Sequence, residues 1–290
     1  MSYCIVLDIP RILYLLYTAP LAEIIRSHGL DYHFYADDIQ LYISFKDCDV
    51  DNAKLRVESC VADICHWMDL NELKLNHDKT EIMLIYSKYP TRPFFSYFST
   101  GNEKLTTTAN ARSLGVVIDD NIIFNVHISD ICRSSVYQLR NLSTIRKYLT
   151  REPSEIAMHA FETSKLDYCN SLLYGCRKMQ LKKLQYVQNT AARKFTRTRK
   201  FDHITPVLSD LHWLPVNYRF VFKIILLVFK SLNNLSPSYL ADRLSYQSHS
   251  RNLRSSSRQL LEQPRSFTKT YGVRAFSVCT PKLFVTIRFA

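Results

Sequence analysis

Glycine is scarce in this chain, with five residues among 290. That number disfavours glycine-rich phosphate loops and all-β folds with many tight turns, and no Walker or dinucleotide-binding fingerprint occurs. Long apolar runs are also missing, because Asp8, Pro10 and Arg11 break the apolar start from Cys4 to Leu21, which lacks a basic leader. We therefore expect neither a signal peptide nor a membrane span, and an intracellular protein, nuclear and/or cytoplasmic.

A disulfide framework is not expected either. Eight cysteines in an intracellular chain of this length indicate reduced thiols. Cys60, Cys65 and His66 look like part of a zinc site, but the spacing is wide and no second pair follows. The segment from Asn52 to Leu70 has a helical apolar stripe that includes these cysteines, so they more readily belong to a core: the stripe is Val57, Cys60, Val61, Ile64, Trp67 and Met68.

Acidic residues are scarce in the second half of the chain. Residues 1–130 hold 11 Lys and Arg against 18 Asp and Glu, a net charge of −7, whereas residues 131–290 hold 27 against 8, a net charge of +19. A half this basic should attract polyanions, and binding through Lys–phosphate and Arg–phosphate contacts should weaken with salt.

The basic residues are densest from Leu181 to Lys200, which contains no acid. Apolar residues recur there at helical spacing as far as Phe195, which predicts a helix with a core-facing stripe and a basic outer face. A solvated surface is the alternative to a nucleic-acid interface. The candidate nucleic-acid-binding residues are Lys182, Lys183, Arg193, Lys194, Arg197, Arg199 and Lys200.

A second basic stretch runs from Arg251 to Arg274 and is interrupted by serines. Its low hydrophobicity predicts a loop, which is either a nucleic-acid-binding arm or a disordered segment. Its basic residues are Arg251, Arg254, Arg258, Arg265, Lys269 and Arg274.

Two adjacent carboxylates, Asp37 and Asp38, lie between β-rich runs at residues 32–36 and 39–45. The runs predict a hairpin with the acids at its turn. Neighbouring like charges favour a bound cation, and oxygen ligands suit Mg²⁺ or Mn²⁺. A solvated turn is the alternative, because aspartate is common in turns.

The string from Tyr35 to Asp38, Tyr-Ala-Asp-Asp, resembles the catalytic signature of reverse transcriptases, and its surroundings resemble those of non-LTR, LINE-type retrotransposons. Further strings follow in the order of that family, and together they cover nearly the whole chain from about Leu13. They are residues 15–21, 67–68, 73–76, 78–81, 114–116, 164–170, 184–189 and 211–215.

The residue patterns predict an α+β fold. Strands at 81–87 and 113–119 join the hairpin and the helix of residues 52–70 in an antiparallel sheet with a helix on one face, and helices dominate after Val126. The resemblance implies that residues 1–120 are a partial polymerase palm, that residues 121–245 are a helical, thumb-like domain, and that residues 246–290 form a basic, partly irregular segment.

The resemblance also implies an activity, RNA-directed DNA synthesis on an RNA template and a DNA primer, with deoxynucleotides as substrates and two bound metal ions. In that family Asp37 would be a direct metal ligand with Asp38 as its partner. Tyr35 and Ala36 would lie near the primer end, and Leu114, Gly115 and Val116 would form the primer grip. Lys79 would neutralise the departing pyrophosphate; an ordinary surface lysine is the alternative.

Two parts of the family pattern are absent from the sequence. An upstream metal-binding aspartate and a Pro-Gln-Gly-Ser motif should precede Tyr-Ala-Asp-Asp, and Asp8 lies too close to the signature to replace that aspartate. Without them, positioning contributions of several kcal/mol would be lost. Three hypotheses remain: a truncated reverse transcriptase that is inactive alone, a nucleic-acid-binding remnant that uses the basic half, and a structural or interaction protein that uses neither.

Overall fold

The chain divides into two compact units in the computed structural model, residues 1–111 (unit 1) and residues 112–290 (unit 2). The structure describes residues 9–86, 97–100, 103–247, 260–266 and 272–288. Helices and short strands occur together, so the predicted α+β class is confirmed. The candidate ligand Asp8 lies outside the described residues.

Unit 1 contains the predicted hairpin and the predicted long helix. The hairpin strands pair antiparallel, with Tyr35 opposite Asp38. Both strands begin one residue earlier than predicted, and both end sooner, the first by one residue and the second by three. The elements are α1 (Ile9–Thr18), α2 (Leu21–Ser27), β1 (Asp31–Tyr35), β2 (Asp38–Tyr42) and α3 (Val50–Leu70).

The core of unit 1 lies between α2, α3 and one face of the hairpin. Alternate residues of β1 and β2 face the same side of a sheet, and those on the inner face pack on this core, namely Tyr32, Phe34, Ile39 and Leu41. The helical stripe predicted for α3 packs on this core, except that Val61 does not join it. The fully buried members of the core are Leu21, Ile25, Leu30, Cys60, Ile64 and Met68.

The remaining strands do not form the predicted sheet. Four separate two-stranded sheets are found in the described ranges, and one of them, β3 (Ile82–Met83) with β6 (Thr107–Thr108), is parallel. The predicted strand 81–87 is reduced to β3, and Ser87 lies outside the described residues. A further pair is β4 (Phe98–Thr100) with β5 (Glu103–Leu105).

The predicted strand 113–119 is wrong, because a turn at Leu114 and Gly115 divides it. The result is a second hairpin, β7 (Asn110–Ser113) and β8 (Val116–Asp119). Both turn residues have positive φ, 46° at Leu114 and 80° at Gly115. A strand cannot continue through two residues in the left-handed region.

Unit 2 is largely helical, as predicted. Helices were expected to dominate after Val126 and to include the basic stretch as far as Phe195, and both are found. A π-helical segment, His159–Thr163, joins the fifth and sixth helices. The elements are α4 (Asn125–Ile145), α5 (Arg151–Met158), α6 (Ser164–Asp167), α7 (Lys178–Thr196), α8 (Ile204–Asp210), α9 (Val216–Leu232), α10 (Ser238–Ala241) and α11 (Phe276–Arg288).

Helix α7 lies at the centre of unit 2. Its apolar stripe contributes Leu184 to one buried cluster, and Val187, Ala191 and Phe195 to another. Helix α9 buries Phe220 in the first of these and Ile224 in a third cluster. No helix of the described ranges has both the length and the hydropathy that a bilayer span requires.

Candidate metal site and basic surface

The turn of the first hairpin consists of only two residues, Ala36 and Asp37. Ala36 has a φ of 54° and Asp37 does not have a positive φ. A positive φ at the first turn residue alone fits a type II′ turn, where glycine is normally preferred. A residue other than glycine in this region carries strain of order 1 kcal/mol. The sequence gives no direct signal for this strain.

The carboxylates of Asp37, in this turn, and of Asp38, the first residue of β2, are both exposed to solvent. Asp38 lies directly opposite Tyr35 in the register, so both side chains are on the hairpin face that points away from α3. Tyr35 is also exposed. The hairpin is present as predicted, but its turn lies one residue earlier, so Asp37 is in the turn and Asp38 begins β2. Asp37, Asp38 and Tyr35 are all exposed at this end of the hairpin.

Helix α1 lies close enough to this turn for the charge of Asp37 to affect the pKa of Tyr14. Burial raises the pKa of the Tyr14 hydroxyl, and the negative charge of Asp37 raises it further. The Tyr14 hydroxyl therefore stays protonated at neutral pH.

The two carboxylates fit one hard cation better than two. Mg²⁺ is usually bound in proteins by one or two carboxylates and keeps several waters, which an exposed pair can provide. Two metals that share three carboxylates would need another acid. Within the described ranges, no group of three or more His, Cys, Asp or Glu side chains is placed to hold a metal ion.

Lys79 is not joined to the aspartate pair. It ends a short 3₁₀ turn, His77–Lys79, where its backbone amide donates to Asn76 Oδ1 at 3.3 Å, and its side chain is exposed. No hydrogen bond or ion pair in the described part of the chain links the Lys79 amine to Asp37 or Asp38. Its suggested role toward pyrophosphate stays a prediction.

The cysteines of the possible zinc fragment belong to the helix α3. Cys60 is fully buried in the core, and burial together with Asp63 raises the pKa of its thiol to about 11. Burial also raises the pKa of Cys65. Cys60 thus lies in the core, as the helical stripe predicted, and Cys65 is only partly buried.

The residues predicted for a primer grip lie in unit 2, at the turn of the second hairpin. The Tyr168 hydroxyl donates to the Leu114 carbonyl at 2.6 Å, and its ring lies within van der Waals distance of Gly115. Val116 is buried in the core. The backbone amide of Val117, the residue after Val116, donates a hydrogen bond to His127 Nδ1 at 3.4 Å. Burial lowers the pKa of the His127 imidazole.

The basic residues predicted to bind nucleic acid lie along α7 and in the loop after it. Six of the seven are exposed, three on the helix and three in the loop that follows it: Lys182, Lys183, Lys194, Arg197, Arg199 and Lys200. Favourable interaction with the helix dipole explains a cation in the last turn, such as Lys194. It does not explain the three cations that follow the end of the helix at Thr196.

Arg193 differs from the other six. Its Nη1 donates to the backbone carbonyls of Arg199 at 2.8 Å and Asp202 at 2.9 Å, and its side chain is only partly exposed. Arg193 therefore holds the loop after α7 in place. The sequence did not reveal this role, because it depends on the conformation of that loop.

Most of the second basic stretch lies outside the described residues, including Arg251, Arg254, Arg258 and Lys269. Arg274, at its end, is not part of a loose arm. Its guanidinium donates to three backbone carbonyls, those of Tyr174, Ile122 and Leu172, at 2.7 to 2.8 Å. For this residue the prediction of a loop arm is wrong, because these hydrogen bonds hold the segment before α11 against the rest of unit 2.

Three strings that carry the resemblance, residues 164–170, 184–189 and 211–215, meet in unit 2. Gln188 donates to the Leu214 carbonyl at 2.8 Å, and Gln185 Oε1 accepts from Val216 N at 3.0 Å. Asp167 pairs with Arg219 at 2.7 Å, and Arg219 also donates to the Leu214 carbonyl at 3.0 Å. We call these contacts the polar frame of unit 2.

A cavity of about 240 Å³ opens beside the polar frame. Asp167, Asn170, His212 and Lys223 contribute polar groups to its lining, and the Asn170 amide oxygen is buried without a hydrogen-bond partner. Arg219 also lines the cavity but is neutralised by Asp167. Spacing along the sequence could not indicate that these residues converge.

Comparison with known proteins gives no further assignment: no protein-family model, curated protein or solved structure matches this chain.

Proposed function

We propose that this chain derives from the reverse transcriptase of a non-LTR retrotransposon and carries part of its metal-binding site, but does not synthesise DNA by itself. The observation that carries the proposal is the geometry of Tyr35-Ala36-Asp37-Asp38. A strained two-residue turn exposes both carboxylates together, and strained backbone is concentrated at functional sites.

The residues of the turn have distinct roles in this proposal. Asp37 and Asp38 would hold Mg²⁺ or Mn²⁺, and Tyr35, on the same face as Asp38, would lie beside the primer end. When bound, the metal supplies charge stabilisation for nucleotidyl transfer. Residues 1–290 do not themselves supply the upstream aspartate or the Pro-Gln-Gly-Ser motif of the family, so alone they would give the metal too few ligands and the nucleotide no cover.

Metal binding at the turn can be tested separately from activity. We expect the chain to bind Mn²⁺ weakly in electron paramagnetic resonance titrations, and the double variant Asp37→Asn/Asp38→Asn to lose that binding. Asp47→Asn/Asp49→Asn removes two other exposed carboxylates of unit 1 and should leave it unchanged. If the Asp37/Asp38 variant binds Mn²⁺ as well as the wild type, the proposed metal site is wrong.

Activity is tested by extension of a DNA primer on an RNA template with deoxynucleotides and Mg²⁺ or Mn²⁺. We expect no extension by the wild-type chain or by Asp37→Ala. If the wild-type chain extends the primer and Asp37→Ala does not, the proposed inactivity is contradicted and the chain has a working polymerase site. Extension that survives this substitution would contradict the assignment of Asp37.

A second candidate function is binding of RNA or DNA by the basic half with the carboxylates idle. The exposure of six cations along and after α7 favours it. Filter binding over a salt series should show affinity that falls steeply with salt, because bound phosphates release counterions. The variant Lys182→Gln/Lys183→Gln should reduce both the affinity and the salt slope, whereas Lys46→Gln/Lys74→Gln in unit 1 should change neither.

If the chain binds neither Mn²⁺ at the turn nor nucleic acid through α7, both candidates fail. The hypothesis of a structural or interaction protein would then be the one that remains.

A further inference from the structure

The loop that follows α7 carries an exposed aromatic side chain, Phe201. Its side chain is 93% exposed, more than any other large apolar side chain in the described ranges. A phenylalanine normally contributes to folding by burial, and this one contributes almost nothing in that way. Both faces of its ring are therefore open to contact from outside unit 2.

The loop around Phe201 has a defined backbone. The helix ends with Arg197 in the left-handed region, at a φ of 59°, and Thr198 N donates back to the Arg193 carbonyl at 3.2 Å. These are features of a Schellman C-cap. The loop thus leaves the helix in a fixed direction.

A hydrogen-bonded turn follows directly. Asp202 N donates to the Arg199 carbonyl at 3.3 Å, and Arg199 N donates to Asp202 Oδ2 at 3.1 Å. The Arg193 guanidinium donates to the carbonyls of both ends of this turn. Phe201 is the third residue of the turn, so its ring projects from a backbone that is already ordered.

Positive charge surrounds the ring. Lys200 Nζ lies 5.8 Å from the centroid of the Phe201 ring, within the range of a cation–π contact. Arg197 and Arg199 are exposed on the same loop. Asp202 is the one acid from 197 to 203, and its Oδ2 accepts the Arg199 amide.

We propose that this turn binds single-stranded RNA or DNA, with an unpaired base stacked on Phe201 and the flanking phosphates on Arg197, Arg199 and Lys200. This inference rests on the second candidate function, binding of RNA or DNA by the basic half, and specifies that the nucleic acid is single-stranded. A single strand offers both a free π-face and closely spaced phosphates, whereas the bases of a duplex are stacked on each other. A preordered turn lowers the entropy cost of binding.

The test is fluorescence anisotropy with labelled oligo(U), oligo(dT) and a duplex of the same length. Phe201→Ala should weaken binding of the single strands roughly 5- to 150-fold, the range of base–aromatic stacking. Duplex affinity and the salt slope should stay the same, because the phosphate contacts remain. Phe201→Trp should restore single-strand affinity, since a larger ring still stacks.

Phe229→Ala is the matched control, because Phe229 is an exposed phenylalanine on α9, at 57%, outside the loop. It should leave single-strand binding unchanged. Salt-dependent binding with equal affinity in the wild type and Phe201→Ala would overturn the stacking inference and leave the second candidate function standing. Absence of binding to every oligonucleotide by the wild type would overturn both.

Discussion

The two hairpins of this chain have turns of equal length but different construction. In the first, Ala36 takes a positive φ where glycine is preferred, and the acids beside it are exposed. In the second, Gly115 takes the larger positive φ, and Tyr168 holds the turn by a hydrogen bond to Leu114. Both turns hold one residue other than glycine at positive φ, Ala36 in the first and Leu114 in the second. The second turn is held by contacts with its surroundings, whereas the first lies at an open edge.

The contacts around each turn indicate whether its residues are explained by folding or by function. The second hairpin is backed by the buried Val116 and by His127, so its sequence is explained by folding. No comparable contact among the described residues explains why Asp37 and Asp38 are adjacent. The first turn is therefore the better candidate for chemistry, and the second for stability.

The largest effect should come from removing the core anchor of the second hairpin. Val116→Ala should lower the free energy of unfolding of unit 2 by about 2 kcal/mol, because Val116 is 4% exposed and a cavity would remain. Denaturant titration followed by tryptophan fluorescence in a Trp67→Phe background leaves Trp213, in unit 2, as the only tryptophan of the sequence.

Val126→Ala is the control for this prediction, because Val126 is 41% exposed on α4. It should change the free energy of unfolding by less than about 0.5 kcal/mol. Equal losses for the two variants would mean that the second hairpin is not anchored through Val116.

The next largest loss of stability is expected from replacing the glycine of the second turn. Gly115→Ala should cost about 1 to 2 kcal/mol, because an L-residue is strained in the left-handed region. The new Cβ itself has room, with the nearest atom of Tyr168 at 3.6 Å. Gly115→Asn should recover part of the loss, since asparagine tolerates this region; if alanine and asparagine cost the same, backbone strain is not the cause.

A smaller loss is expected at the tyrosine that holds this turn. Tyr168→Phe removes the hydroxyl that donates to the Leu114 carbonyl, which should cost about 0.5 to 1 kcal/mol at a half-exposed position. Tyr186→Phe, on an exposed tyrosine of α7, serves as the comparison in the same denaturant titration and should be nearly neutral. A Tyr168→Phe variant as stable as the wild type would show that the hydroxyl does not secure the turn.

Sequence patterns predicted the features that depend on local periodicity. The helical stripes of α3 and α7 and the first hairpin all follow from spacings within about twenty residues. The second hairpin was missed because a string of apolar residues around Leu114 and Gly115 reads as one strand, and one glycine did not indicate a reversal.

The sheet of unit 1 and the polar frame of unit 2 could not be predicted for a different reason. Strands of two to four residues carry too few side chains to specify their partners. The contacts of Gln188 with Leu214 and of Asp167 with Arg219 join residues 26 and 52 positions apart. The role of Arg193 likewise depends on the conformation of the loop after α7, which the sequence of that loop does not predict.

The smallest effect, and one of opposite sign, is expected at the first turn. Ala36→Gly should raise the free energy of unfolding of unit 1 by less than about 1 kcal/mol, because relief of 1 to 2 kcal/mol of strain is partly offset by the flexibility of glycine in the unfolded chain. A Trp213→Phe background leaves Trp67 to report on unit 1.

The same substitution at Ala62, an exposed position within α3, should cost about 1 kcal/mol, since glycine weakens a helix interior. If Ala36→Gly destabilises unit 1 as much as Ala62→Gly does, the turn does not hold Ala36 at positive φ. Mn²⁺ affinity should not change with Ala36→Gly, because both carboxylates remain in place. A gain in stability without a change in metal binding would show that the strain lies in the backbone of the turn and that metal affinity depends on its two aspartates.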